Sequence, residues 1–261
     1  MPDHVNPHRL FDIRGKTALV TGSSRGIGKA LAEGLGAAGA RVVVHGRDAD
    51  VARSTAAELR ERLDADVHVV TFDVTDPRQV AEGIDEIERD VAPIDILVNN
   101  AGIQRRAPFL DFPVEDWNAI VASNLTSAFL VGQRVARGMA ARGGGKIVNI
   151  GSVQSRLGRP GIAPYAASKG GIVMLTRGMC ADLAGSSIQV NALAPGYFAT
   201  ELTKALVDDE AFSAWVRGRT PAGRWGSVDE LVGTLLYLVS PASDFVNGQI
   251  IYVDGGMTAV V

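Results

Sequence analysis

The chain has 261 residues, 46% of them hydrophobic and 21% charged, with a formal net charge of −3. That hydrophobicity with so little net charge excludes intrinsic disorder, and with no dense Lys/Arg run a nucleic-acid partner is not expected. A single cysteine, Cys180, precludes an intrachain disulfide and suits a reducing cytoplasm.

In chain order, Met1 to Leu10 is polar, carries Pro2 and Pro7, and lacks an apolar signal core, so residues 1–14 read as an N-terminal extension. Short Val/Ile-rich runs then alternate with helical patterns. Strands are expected at Thr17–Thr21, Arg41–His45, Val67–Phe72, Ile96–Asn99, Lys146–Ile150, Ile188–Leu193 and Gln249–Val253. Several are continuously apolar, as strands covered on both faces must be. Helices are expected at Ile27–Ala38, Ala49–Leu63, Arg78–Val91, Val114–Ala141, Tyr165–Ala184 and Val228–Val239. Asp76-Pro77 supplies a cap with proline at the first helical position, and Ser227 with Glu230 fits a capping box. Gly143 and Gly185 stand where a left-handed residue closes a helix. The longest apolar stretch, Leu231 to Val239, is too short to cross a bilayer, and no membrane association is expected. Cys180 falls in a helical run and reads as a small packed hydrophobe. Strands separated by helices predict a parallel sheet with right-handed crossovers, and without a linker or repeat the chain reads as one α/β domain over 1–261.

The first strand runs into Thr21-Gly22-Ser23-Ser24-Arg25-Gly26-Ile27-Gly28. Glycines after a strand permit a tight turn and close backbone approach to a pyrophosphate, while the following helix presents free N–H groups to it. The spacing is G-x-x-x-G-x-G and departs from G-x-G-x-x-G. Asn99-Asn100-Ala101-Gly102 ends the fourth strand, and Asp73-Val74 follows the third, beside where an adenine would lie; Asp73 reads equally well as a turn residue. NAD enzymes usually place an acid at the end of the second strand, but here it ends Val44-His45-Gly46-Arg47. Arg47, with Arg25 as a second contact, suits the 2′-phosphate of NADP, so NADP is expected with NAD as the alternative. Asp48 is better placed to cap the next helix.

Tyr165 and Lys169 stand one helical turn apart on one face. A nearby ammonium favours a phenolate, which makes the pair a candidate proton donor and acceptor. Ser152 lies just beyond the fifth strand, where a hydroxyl can bond a substrate oxygen, and Asn124 is a poor helix former inside a helical run. His4, His8, His45 and His68 lack ligand spacing, so no metal site is expected. They also precede the serine candidates of the second half, which disfavours a hydrolytic triad.

Thr21–Gly28, Asn99–Gly102, Asn124, Ser152, Tyr165 with Lys169, and Pro195-Gly196 occur in the order of the short-chain dehydrogenase/reductase family, which the chain resembles from about Gly15 to Gly256. The resemblance implies a three-layer Rossmann fold with a doubly wound seven-stranded parallel sheet, and usually a homotetramer. It makes Tyr165 the general acid/base, and Lys169 the group that depresses its pKa and binds the nicotinamide ribose. Ser152 would orient the substrate oxygen, Asn124 would hold a water of a proton relay, and Pro195, Gly196 and Thr200 would line the nicotinamide end. The cofactor contacts it implies are Gly22, Ser24, Arg25, Gly26, Ile27, Gly28, Arg47, Asp73, Val74, Asn100, Ala101 and Gly102.

Less generic stretches, Ile103 to Arg106, Ser152 to Ser155, Ala194 to Leu202 and Arg219 to Gly226, resemble the gluconate 5-dehydrogenase (5-keto-D-gluconate reductase) subgroup. That implies reversible oxidation of D-gluconate at C5, with Arg105 or Arg106 for the carboxylate and Gln154 or Arg159 for the polyol. Trp225 reads as a packing residue. The alternatives are a 3-oxoacyl-[acyl-carrier-protein] reductase, another sugar or polyol dehydrogenase, and, more remotely, a non-catalytic cofactor-sensing protein. The apolar end, Met257 to Val261, is expected to pack on a neighbouring subunit.

Overall fold

The computed structural model describes residues 6–261, so the first five residues of the expected extension lie outside the described residues. A short helix α1 (Pro7–Leu10) precedes β1 (Thr17–Val20), and α2 (Gly26–Ala37) leads to β2 (Arg41–Gly46). Then follow α3 (Ala49–Leu63), β3 (Val67–Thr71), α4 (Pro77–Asp90) and β4 (Ile96–Asn99). The second half carries α5 (Val114–Val121), α6 (Ser127–Arg142), β5 (Gly145–Ile150), α7 (Ala163–Leu183) and β6 (Ile188–Pro195). After β7 (Phe198–Ala199) come α8 (Lys204–Val207), α9 (Glu210–Arg219), β8 (Gly226–Ser227), α10 (Val232–Val239) and β9 (Ile250–Val253).

Seven strands form one parallel sheet in the order β3-β2-β1-β4-β5-β6-β9. Successive side chains on a strand point to opposite faces, and both faces are covered. Ala18, Val20, Val42 and Val44 pack beneath α2, α3 and α10 with Leu31, Leu35, Leu59 and Leu235. Leu19, Val43, Leu97 and Ile147 pack on the other side against Ile84 and Ile87 of α4 and Val131, Val135 and Met139 of α6. This three-layer arrangement is the fold expected from the sequence, with strand ends shifted by only one or two residues. Strand order reverses between β1 and β4, and a crevice opens there at the carboxyl ends.

The expected caps hold: Asp48 accepts from Asp50 and Val51, Asp76 from Arg78 and Gln79, and Ser227 and Glu230 close a capping box. Gly143 is left-handed at φ 88°, but Gly185 is not; a 3-10 turn extends the helix and Ser187 takes the left-handed position at φ 55°. The single helix expected over Val114–Ala141 is three pieces. Between α5 and α6, Ala122–Thr126 is π-helical, and the extra residue of that wider turn accompanies an inward-facing Asn124. The span expected as helix from Val228 begins as a 3-10 turn, Val228–Leu231. No element was expected between β6 and α10, where β7, α8, α9 and β8 stand.

At the C-terminus, Asp254 accepts from Gly256 and Thr258, which folds Met257 into its own subunit with 2% exposure. Ala259, Val260 and Val261 remain exposed, so of the apolar end expected to pack on a neighbour the chain itself buries only Met257. Cys180 is half-buried against the core layer over α6. No helix among the described residues is long and apolar enough to cross a membrane.

Candidate active site

A cleft of about 790 Å³ lies along the carboxyl ends of β1, β4, β5 and β6. One end is the glycine loop. Gly22 turns at φ +63°, a conformation that side-chain-bearing residues rarely adopt, and a Cβ there would also press on Ala101. At Gly28 a Cβ would collide with the Asn100 amide and the Gly22 carbonyl, so backbone is pressed against backbone. Asn100 ties the two strand ends together: its Nδ2 donates to Thr21 O at 2.9 Å and to Gly22 O at 3.0 Å. The amino end of α2 opens directly on this cradle.

His45, which sequence reasoning passed over, braces the same loop. Its Nδ1 accepts the Gly22 N–H at 3.0 Å, so Nε2 carries the proton and donates to Phe72 O, also at 3.0 Å. Burial holds its pKa down to about 4, against weaker opposing pulls from the Phe72 carbonyl and Asp73, so the ring is neutral. Its signal was a histidine inside an otherwise apolar strand.

Arg25, Gly46 and Arg47 line the cleft beyond β2, with no carboxylate ending that strand. The Arg47 guanidinium is 70% exposed and 3.9 Å from Asp73, a loose pairing that leaves it available to a phosphate. Asp73 has the turn role: its carboxylate accepts from Thr75 N and Oγ1. Burial alone would raise its pKa, but the Thr75 bonds and Arg47 pull it below the usual value. Val74, not Asp73, faces the cleft, as do Ser24, Ile27, Ala101 and Gly102.

The other end gathers the proposed chemistry. Ser152, Tyr165 and Lys169 all border the cleft, with Pro195, Gly196 and Thr200 opposite. α7 starts at Ala163, two residues before the expected boundary, so Pro164 and Tyr165 sit in its first turn. Burial of the hydroxyl end raises the Tyr165 pKa above 10, opposed by a hydrogen bond with Ser152. Lys169 Nζ lies 5.8 Å from the phenol ring centroid and donates to Ile150 O at 2.7 Å. Burial pulls its pKa down to about 8. Desolvation is the largest influence on the phenol, and Lys169 is not among the groups that shift it.

Asn124 is 2% exposed, and its amide makes three hydrogen bonds. Oδ1 accepts from Ile103 N at 2.7 Å, and Nδ2 donates to Ile103 O at 3.0 Å and Ser168 Oγ at 3.1 Å. The side chain thus clamps the strand-end loop onto α7. Arg105, a candidate for the substrate carboxylate, is paired with Asp116 at 3.3 Å. Arg106 and Arg159 have no carboxylate within 4 Å among the described residues, and both face the cleft with Gln154 and Tyr197. Tyr197 was not singled out from sequence. It is wedged edge-on between Phe212, Trp215 and Trp225 with centroids 5.7–5.8 Å away. Trp225 is thus the packing residue expected, and its indole N–H donates to Ser213 Oγ.

A family model described as enoyl-(acyl carrier protein) reductase matches residues 22–258. The 5-keto-D-gluconate 5-reductase of Escherichia coli (strain K12) is 52% identical over 252 residues, covering 97% of this chain and 99% of that one. The chain belongs to the short-chain dehydrogenase/reductase family. Within this oxidoreductase family, the gluconate 5-dehydrogenase of Gluconobacter oxydans (strain 621H) is 56% identical over 250 residues, 95% of this chain and 97% of that one. A crystal structure of a gluconate 5-dehydrogenase from Burkholderia cenocepacia J2315, in complex with NADP and tartrate, superposes with a TM-score of 0.95. It is 56% identical and covers 98% of this chain and 100% of that one.

Proposed function

We propose that the protein is an NADP(H)-dependent oxidoreductase that interconverts D-gluconate and 5-keto-D-gluconate. The observation that carries this reading is a single cleft with a backbone cradle at one end and Ser152, Tyr165 and Lys169 at the other. The glycine loop fits a pyrophosphate because it opens on the amino end of α2, and Gly22 and Gly28 keep it tight against Ala101 and Asn100, where a Cβ at either would collide. Arg47 and Arg25 would hold a 2′-phosphate, and Val74, Asn100, Ala101 and Gly102 would wall the adenine and ribose. Bound NADP(H) supplies or accepts the hydride.

The chain's own residues handle the proton. In oxidation Tyr165 takes the proton of the substrate hydroxyl as its carbon loses hydride, and in reduction it returns it. Ser152 donates a hydrogen bond to the same oxygen and stabilises charge developing there. Lys169, fixed by Ile150 O, places its amine near the tyrosine ring, where a cation favours the phenolate. Asn124, held by Ile103 and Ser168, would position the water of the proton relay. The reading extends to a homotetramer acting in the cytoplasm. Exposed Trp117, Phe129 and Met174 on α5, α6 and α7 offer an apolar face for assembly, and a single thiol suits a reducing compartment.

The test is an assay at the nicotinamide absorbance band with 5-keto-D-gluconate and NADPH, and with D-gluconate and NADP, beside an acyl thioester. Turnover of the sugar acid in both directions is expected. Faster turnover of the thioester than of either sugar acid would overturn the assignment.

A further inference from the structure

At the Ser152 end of the cleft, Arg106 and Arg159 stand with no carboxylate within 4 Å among the described residues. Arg106 stands at the mouth, where partial burial and the neighbouring Arg159 both lower its pKa, with Tyr197 opposing them. Arg159 is half-buried with its guanidinium carbon 5.1 Å from the centre of the Phe212 ring. A π-face holds a cation without neutralising it, so the charge of Arg159 stays available. Its Nε is buried with no hydrogen-bond partner. Gln154 is 8% exposed and its Oε1 is likewise buried and unpartnered. A buried donor and a buried acceptor left open in one cleft are costly unless a ligand satisfies them.

Tyr197 joins this cluster to the chemistry. Burial raises its pKa, while Arg159, Arg106 and Gln154 beside its hydroxyl draw it down. On its other side it lies close enough to Tyr165 to raise the pKa of that residue.

Resting on the substrate reading above, the structure assigns an anion subsite to Arg106 and Arg159, completed by Gln154 and Tyr197, that takes the carboxylate of the sugar acid and so sets its orientation. The carboxylate relieves the repulsion between the two cations and receives Arg159 Nε, and Gln154 Oε1 accepts from a hydroxyl of the chain. Arg105 also borders the cleft, but its guanidinium is shared with Asp116, which makes it the weaker candidate for this role. Tyr197, fixed by three aromatic neighbours, is a positioning residue that sets the separation between the carboxylate and the carbon facing Tyr165.

The experiment compares 5-keto-D-gluconate with L-sorbose, the same carbon chain bearing CH2OH in place of the carboxylate, for the wild type, Arg106→Gln, Arg159→Gln and Tyr197→Phe. Each arginine variant should lose about 30-fold in kcat/KM on the acid, mostly in KM, and less than about threefold on the neutral ketose. Arg159→Lys should recover part of the loss, and NADPH affinity by fluorescence titration should stay unchanged in every variant. Equal losses on both sugars, or an unchanged KM for the acid where L-sorbose is not turned over, would overturn the subsite. Should the wild type reduce neither sugar, the substrate reading fails and the subsite is read alone. Tartrate binding to the enzyme–NADP complex, measured by calorimetry and abolished in Arg159→Gln, would sustain it, and no tartrate binding to the wild type would overturn it.

Discussion

His45 Nδ1 accepts the Gly22 N–H at 3.0 Å, so a neutral imidazole buried in β2 holds the first turn of the phosphate cradle. The pKa of this ring is pulled down to about 4 by burial, well below the free value of about 6.5. A depressed histidine stabilises the fold above its unfolded pKa and loses that contribution as pH falls. Between about pH 6.5 and 4 the unfolded chain takes up a proton that the native state refuses, costing roughly 1.4 kcal/mol per pH unit from this group. Asp73 opposes the depression and Arg47 adds to it, both weakly. His45→Asn, which retains an acceptor for Gly22, should show a flatter dependence of the urea midpoint between pH 7 and 4.5. Parallel curves for variant and wild type would refute this role.

Tyr165→Phe should leave NADPH affinity within about threefold while turnover falls by about 10³ or more, since proton transfer has no replacement. Because burial raises the Tyr165 pKa, alcohol oxidation should quicken as pH rises through the alkaline range and ketone reduction should slow. A flat pH profile for oxidation between pH 7 and 10 would contradict the assignment of the base.

Arg47→Ala should raise KM for NADP by about 10- to 100-fold, the value of a charge-assisted contact to the 2′-phosphate, and leave KM for NAD nearly unchanged. The guanidinium is only loosely held by Asp73, so little stability should be lost and the melting temperature should stay within about 2 °C. Equal changes for both cofactors would place the 2′-phosphate elsewhere.

Gly28→Ala introduces a Cβ where the Asn100 amide and the Gly22 carbonyl already meet. NADPH affinity should fall by at least about 100-fold, with a stability loss of about 1–3 kcal/mol from overpacking. Gly178, on the face of α7 where nothing lies within 4 Å of a Cβ, serves as the control: Gly178→Ala should bind NADPH normally. Normal binding by both variants would show that the cradle is not this tight.

The alternation of apolar runs and helical patterns made the sheet legible, because strands buried on both faces, such as Ala18 to Val20, carry no polar position. Motifs at strand ends were legible for a related reason: glycine and asparagine are poor choices there unless backbone must approach something. What stayed hidden depends on contacts distant in sequence. Nothing near Asn124 announced a π-helical turn, because its partners Ile103 and Ser168 lie on other elements. Arg105 and Arg106 are equivalent as letters, and only the position of Asp116 on α5 separates them. The segment from β7 to β8 showed no regular periodicity, since its order comes from aromatic edges meeting around Tyr197.

Every ladder in the main sheet is parallel, and Ala18 pairs with Ile96 although β2, β3 and three helices intervene in the sequence. No tight hairpin can therefore seed the sheet, and each pairing closes a long loop before it gains a hydrogen bond. The folding rate should be set by how quickly α2 and α4 dock their neighbouring strands, leaving the β1–β4 junction, and with it the crevice where strand order reverses, among the last parts to assemble.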